Sequence, residues 1–105
     1  MKTRVAIVED DEPTRRILVD VIASAPGLEL VNHYGSTALA IERLPADRPD
    51  VVLMDINLPQ INGVECVRRL RPRMPGTQFL MLTVYEDADH IFAALAAGAT
   101  GYLLK

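Results

Sequence analysis

Short apolar runs at residues 5–8, 28–33, 51–54, 77–82 and 102–104 alternate with segments whose apolar residues fall at helical spacing. That alternation constrains the fold more than any other feature of the chain. Short links between strand and helix imply parallel strands with right-handed crossovers, so helices must cover both faces of the sheet. At 105 residues there is room for one domain of this kind. The expected fold is an α/β, doubly wound, five-stranded parallel sheet.

Local signals mark the elements. The first run stops at Glu9, Asp10 and Asp11, and Pro13 suits the first turn of a helix, where its missing N–H costs nothing. Ile17, Leu18, Val21 and Ile22 give that helix an apolar face, ended by Pro26 and Gly27. The second run is the most polar, as an edge strand would be. Ser36 caps a helix carrying Leu39, Ile41 and Leu44, closed by residues 45–49. Asn62 and Glu65 have capping-box spacing ahead of Val64, Val67 and Leu70, and Pro72 and Pro75 bracket the end of that helix. Asp87 caps a helix with Ile91, Phe92 and Leu95, and Gly98 ends it.

The third run reads VVLMDINLP, four apolar residues that deliver Asp55 to the end of a strand buried on both faces. A charge there is costly unless something pairs with it. In open α/β sheets ligands bind outside the carboxyl ends of the strands, where the strand order reverses. With the flavodoxin-like order 2-1-3-4-5, the ends of strands one, three, four and five converge. Glu9, Asp10, Asp55, Thr83 and Lys105 then share one crevice. Clustered carboxylates repel one another unless a cation joins them, and oxygen-only ligands suit a hard ion such as Mg²⁺. A lysine beside them suggests an arriving anion, and phosphate is the one that Mg²⁺ and lysine bind jointly. Asp55 is then placed to act as a nucleophile and form an acyl phosphate, with Thr83 donating to the same group.

Composition excludes several classes. The chain is 50% hydrophobic with a formal net charge of −3, which fits a globular protein and disfavours direct nucleic-acid binding. Arg68, Arg69, Arg71 and Arg73 are the nearest thing to a basic patch and read as a solvated helix face. Cys66 reads as a semi-buried packing residue, with no base near it in sequence to activate a thiol. The N-terminus reaches acids too soon for a signal peptide, and no stretch approaches the ~20 apolar residues of a membrane helix. A cytoplasmic protein without membrane association is expected.

These residues resemble the receiver domains of two-component response regulators. VEDDEP resembles the acidic first loop, LMDINLPQINGVE the phosphoacceptor strand and loop, and LTVYED the strand end bearing the switch hydroxyl. AAGATGYLLK resembles the closing helix–strand signature, above all that of the NarL/LuxR-type branch. The likeness runs the length of the chain and implies a CheY-like fold.

Carried onto this sequence, the resemblance implies that Asp55 is phosphorylated by a sensor histidine kinase in a Mg²⁺-dependent reaction. It implies Mg²⁺ ligation by Asp10, Asp55, Glu9 (directly or through water) and the backbone carbonyl of Asn57. Asp11 is an alternative to Glu9 in the acidic pair. Thr83 and Lys105 would hold phosphoryl oxygens, and Tyr102 would turn inward on activation. Asn57 and Tyr85 occupy the positions that tune dephosphorylation in the family. The phosphodonor histidine belongs to the kinase, leaving His33 and His90 as surface residues.

Such a domain takes part in its own phosphorylation and dephosphorylation rather than turning over a separate substrate. The implied output is transcription, through a DNA-binding domain outside this chain, with homodimerisation through the last helix of the family's domain. That helix would follow Lys105, so residues 1–105 are expected to be a receiver domain truncated before its fifth helix, with apolar surface left bare on one face. Three rivals share parts of the pattern. A haloacid-dehalogenase-type phosphatase needs a second acid where Asn57 stands, and a flavodoxin-like FMN carrier needs a phosphate loop where VEDDEPT is acidic. A receiver-shaped interaction module that is never phosphorylated would not need the acid, threonine and lysine set.

Overall fold

β3, Val51–Asp55, is the middle strand of a five-stranded parallel sheet in a computed structural model that describes residues 2–55, 62–83, 93 and 95–104. The other strands are β1 (Thr3–Val8), β2 (Leu28–Tyr34), β4 (Gln78–Thr83) and β5 (Gly101–Leu104). Their order is β2-β1-β3-β4-β5, the reversal expected from the sequence. Val8 lies opposite both Tyr34 and Met54, Asp55 opposite Leu82, and Thr83 opposite Leu104. The register therefore brings the carboxyl ends of all five strands to one edge.

Alternation along the strands splits the core in two. Ala6, Val8, Val52, Met54, Phe79 and Met81 pack on one face with residues of α2 (Thr37–Asp47) and α3 (Gly63–Leu70). Val5, Ile7, Leu53 and Leu82 pack on the other, against Leu18, Val19 and Ile22 of α1 (Glu12–Ser24). Phe79 and Met54 are completely buried, each contributing about 1.5–3 kcal/mol by leaving water. β2 is the edge strand its polarity suggested, with only Tyr34 buried.

Two of the expected helix faces are displaced. On α1, Leu18 and Ile22 face the core, but Ile17 and Val21 are 64% and 58% exposed. The contact stripe is rotated toward Val19, because β1 and β2 sit on that side. On α2, Leu39 is exposed, while Thr37, Ala40 and Leu44 are buried. Small residues let this helix approach the sheet closely.

Helix α2 runs through Pro45 to Asp47 and so closes within residues 45–49, as the sequence suggested. Pro45 has no N–H for the Ile41 carbonyl four residues earlier, and Arg73 Nη1 donates to that oxygen instead, at 3.3 Å. Arg48 then ends the helix in a left-handed conformation, φ 51°. Arg4, on β1, donates from Nη1 to the Arg48 carbonyl at 3.0 Å and from Nη2 to that of Asp47 at 2.9 Å. A cation on the last carbonyls of a helix is favourable.

On α3, Asn62 Oδ1 accepts from the Glu65 backbone at 2.9 Å, as its spacing suggested. The Glu65 carboxylate pairs instead with Arg68 and Arg69, and the Arg68 bond holds its pKa below the usual carboxylate range. A 3-10 turn follows at Arg71–Arg73, where Arg71 Nη1 donates to the carbonyls of Met74 and Pro75. The arginine cluster is therefore only in part a solvated face, since Arg71 holds the turn that follows it and Arg73 reaches a carbonyl of α2. Cys66 is fully buried rather than semi-buried, and desolvation pushes its thiol up to about 12.

The helical residues Ala93 and 95–97 end at Gly98, φ 115°. A Cβ there would also meet Arg71 Cγ at 2.8 Å, so glycine is required twice over. Asp87, Ile91 and Phe92 lie outside the described residues. No helix among the described residues is long and apolar enough to cross a membrane.

Candidate phosphoacceptor site

β1 ends at Val8 because the next residue leaves the sheet's apolar pattern, yet Glu9 remains completely buried. Its backbone N–H donates to the Tyr34 carbonyl at 3.0 Å, extending the β1–β2 ladder by one residue. Asp55 ends the neighbouring β3 and is 4% exposed. Asp10 follows Glu9 and faces solvent. One carboxylate oxygen from each of Glu9, Asp10 and Asp55 lies within 4.8 Å of the others. Two buried carboxylates and one exposed make a set of hard oxygen donors with an open side, which fits a divalent cation that keeps part of its water.

Asp11 has a different task. It is the N-cap of α1, accepting from the Thr14 backbone at 3.1 Å and from the Thr14 hydroxyl. Pro13 is the second helical residue, where no N–H is needed. The three-carboxylate group is thus Glu9, Asp10 and Asp55, without Asp11.

Thr83 is the last residue of β4, one beyond Leu82, which lies opposite Asp55. Tyr102 lies on β5 opposite Met81. Asn57, Tyr85, His90 and Lys105 lie outside the described residues. His33 is exposed on the edge strand. A cavity of about 380 Å³, with Pro45, Arg48, Asp50, Arg73 and Thr77 in its lining, lies where β3 and β4 begin, at the other end of the sheet.

Sequence reasoning missed Arg15, whose Nη1 donates to the Glu9 carbonyl at 2.9 Å. The only local signal was an arginine six residues after the glutamate, on the first turns of α1. It also missed the bond from the Tyr34 hydroxyl to Asp47. Burial first, then that bond, pushes the Tyr34 phenol up to about 12.

Residues 5–105 match the response regulator receiver domain family. Over 97% of its length the chain is 44% identical to the DNA-binding transcriptional activator DevR/DosR of Mycobacterium tuberculosis, of which it covers 47%. A two-component response regulator of the LuxR family from an Aurantimonas species superposes with a TM-score of 0.93 at 28% identity, over 100% of this chain and 75% of that one. The signal receiver domain of NarL from Mycobacterium tuberculosis gives 0.91 at 27% identity, over 98% and 83%. The chain spans about half the length of the curated relatives it matches.

Proposed function

Because the chain belongs to the response-regulator receiver domain family, we propose that it is a phosphorylation switch in which Asp55 takes a phosphoryl group from a sensor histidine kinase. The observation that carries this reading is the meeting of Glu9, Asp10 and Asp55 at the carboxyl edge of the sheet. A carboxylate of Asp55 attacks the donor phosphorus, the P–N bond to the kinase imidazole breaks, and the imidazole leaves with its electron pair. The product is an acyl phosphate on Asp55.

Glu9, Asp10, Asp55 and the Asn57 carbonyl would hold Mg²⁺, whose charge offsets that of the transferring phosphoryl oxygens. Thr83 and Lys105 bind two of those oxygens once the group is on Asp55. The modification adds roughly −1.5 to −2 charges and three acceptors. Thr83 moves toward the new acceptors, and Tyr102 fills the space it leaves. The surface around β5 changes with it, as a shift between two existing conformations. A swing from 1:99 to 99:1 takes about 5.5 kcal/mol of differential stabilisation.

In this reading the domain turns over no substrate besides its own phosphoryl group and works in the cytoplasm. Its output is transcription through a DNA-binding domain outside residues 1–105, which the likeness to half of DevR/DosR supports. The last helix of the family's domain would supply a face for homodimerisation.

The test is intact mass after incubation with acetyl phosphate and Mg²⁺, beside Asp55→Asn and a chelator control. A gain of one phosphoryl group that both controls lose is expected. A folded wild type that gains nothing, from acetyl phosphate or from a phosphorylated kinase, would overturn the reading in favour of a phosphorylation-independent module.

A further inference from the structure

The acidic loop is held from behind by a side chain that takes no part in the chemistry above. Glu9 has both backbone polar groups engaged. Its N–H reaches the Tyr34 carbonyl on the edge strand, and its carbonyl receives Nη1 of Arg15 from α1 at 2.9 Å. The donor is charged and partly buried, which makes this one of the stronger kinds of hydrogen bond. It fixes the peptide plane between Glu9 and Asp10, and so the directions in which both side chains leave the backbone.

Gly35 follows Tyr34 and lies against the same guanidinium. A Cβ on Gly35 would stand 2.8 Å from Arg15 Nη1 and 3.4 Å from Cζ. The glycines with positive φ are Gly27 and Gly98, so the backbone at Gly35 does not itself demand glycine. What it supplies is room for the guanidinium.

We infer that Arg15 and Gly35 are a positioning pair for the metal-binding carboxylates: Gly35 seats the guanidinium, and the guanidinium aims Glu9 and Asp10 at Asp55. The inference rests on the reading of these carboxylates as a Mg²⁺ site. Mg²⁺ demands near-ideal octahedral geometry, so a loosened loop is felt first as lost metal affinity. Groups that orient metal ligands from behind typically account for 10–100-fold in affinity. Because Arg15 acts on a backbone carbonyl rather than a carboxylate, the lower end applies.

The substitution Gly35→Ala separates this role from a merely structural one. The atom a new methyl would meet is the tip of a flexible side chain. The guanidinium gives way rather than the backbone, and the thermal midpoint without metal stays close to that of wild type. The experiment is calorimetric titration with Mg²⁺, without phosphodonor, on wild type, Gly35→Ala, Arg15→Ala, the double variant and Arg15→Lys. The Mg²⁺ dependence of phosphorylation by acetyl phosphate is read alongside.

Gly35→Ala and Arg15→Ala are each expected to weaken Mg²⁺ binding by about tenfold. The half-saturating Mg²⁺ for phosphorylation should rise by the same factor, with the rate at saturation unchanged. The double variant should be no weaker than Arg15→Ala. Arg15→Lys, which keeps one donor for a single acceptor, should recover most of the affinity. Single variants that bind Mg²⁺ like wild type, or two losses that multiply in the double, would overturn the pairing while leaving the phosphoacceptor reading intact. A wild type that binds no Mg²⁺ removes that reading, and the pairing with it.

Discussion

Arg73 Nη1 sits 3.3 Å from the carbonyl oxygen of Ile41, the oxygen that Pro45 leaves without its helical partner. A proline inside a helix normally breaks or kinks it. Here it falls in the last turn, and a guanidinium from another part of the chain takes over the lost bond.

This relationship makes a quantitative prediction. The bond is exposed, so Arg73→Ala should cost about 0.5–1 kcal/mol of unfolding free energy. With Pro45→Ala the helix can supply its own donor to Ile41, and removing Arg73 should then cost measurably less. Urea unfolding of the two single variants and the double variant measures the coupling. Equal costs in both backgrounds would mean that the guanidinium does not replace the missing bond.

At the end of the same helix, Arg48 holds φ 51° without being glycine. Left-handed backbone strains a residue with a Cβ by about 1 kcal/mol or more, and its cap position is one that glycine favours. Arg48→Gly is therefore expected to raise stability by about 0.5–1 kcal/mol, the gain being trimmed by the freer unfolded chain. Arg4 bonds the Arg48 carbonyl rather than its side chain, so its two capping bonds survive the change. A lowered thermal midpoint would show that the Arg48 side chain itself contributes more than the strain removes.

The acids of the first loop should separate by function. Asp11→Ala removes the cap of α1 and should cost about 1 kcal/mol of stability, whereas Asp11→Asn, which still caps, should be nearly neutral. Asp10→Asn takes a carboxylate from the three-acid group and should weaken Mg²⁺ binding far more than Asp11→Asn does. Calorimetric titration compares them, and the reverse order would make Asp11 the ligand.

That distinction marks where the sequence stopped being legible. The parallel strands and the acids at their ends follow from apolar runs, a pattern local to each segment, whereas the order that joins Asp55 to the first acidic loop comes from the flavodoxin-like topology and the likeness to receiver domains. Glu9 and Asp11 flank Asp10 with the same chemistry, and only the backbone path decides which turns into the crevice. The face of α1 was misjudged for a related reason. Periodicity locates a stripe, but the strands beneath it decide whether Ile17 or Val19 lies at its edge. Thr37 and Ala40 carry little hydropathy and are buried because α2 comes close. Arg4, Arg15 and Arg73 act on carbonyls six to 44 residues away, and such bonds leave no local signature.

Tyr34 and Cys66 are both buried, and burial raises both groups to about 12, from 10.0 for the phenol and 9.0 for the thiol. In the unfolded chain each loses its proton near its ordinary value, while the folded protein retains it. The unfolded state then binds fewer protons, so stability falls as pH rises. From about pH 9 to 10 the thiol alone contributes; from about 10 to 12 both do, and below pH 9 neither does. Cys66→Ala should therefore remove the early part of the loss, after allowance for its own packing cost. Tyr34→Phe should flatten the later part, while costing about 1 kcal/mol at neutral pH through the lost bond to Asp47. Urea midpoints from pH 8 to 11 measure both effects. A wild-type curve flat over that range, or one that neither variant alters, would show that neither buried group is held protonated by the fold.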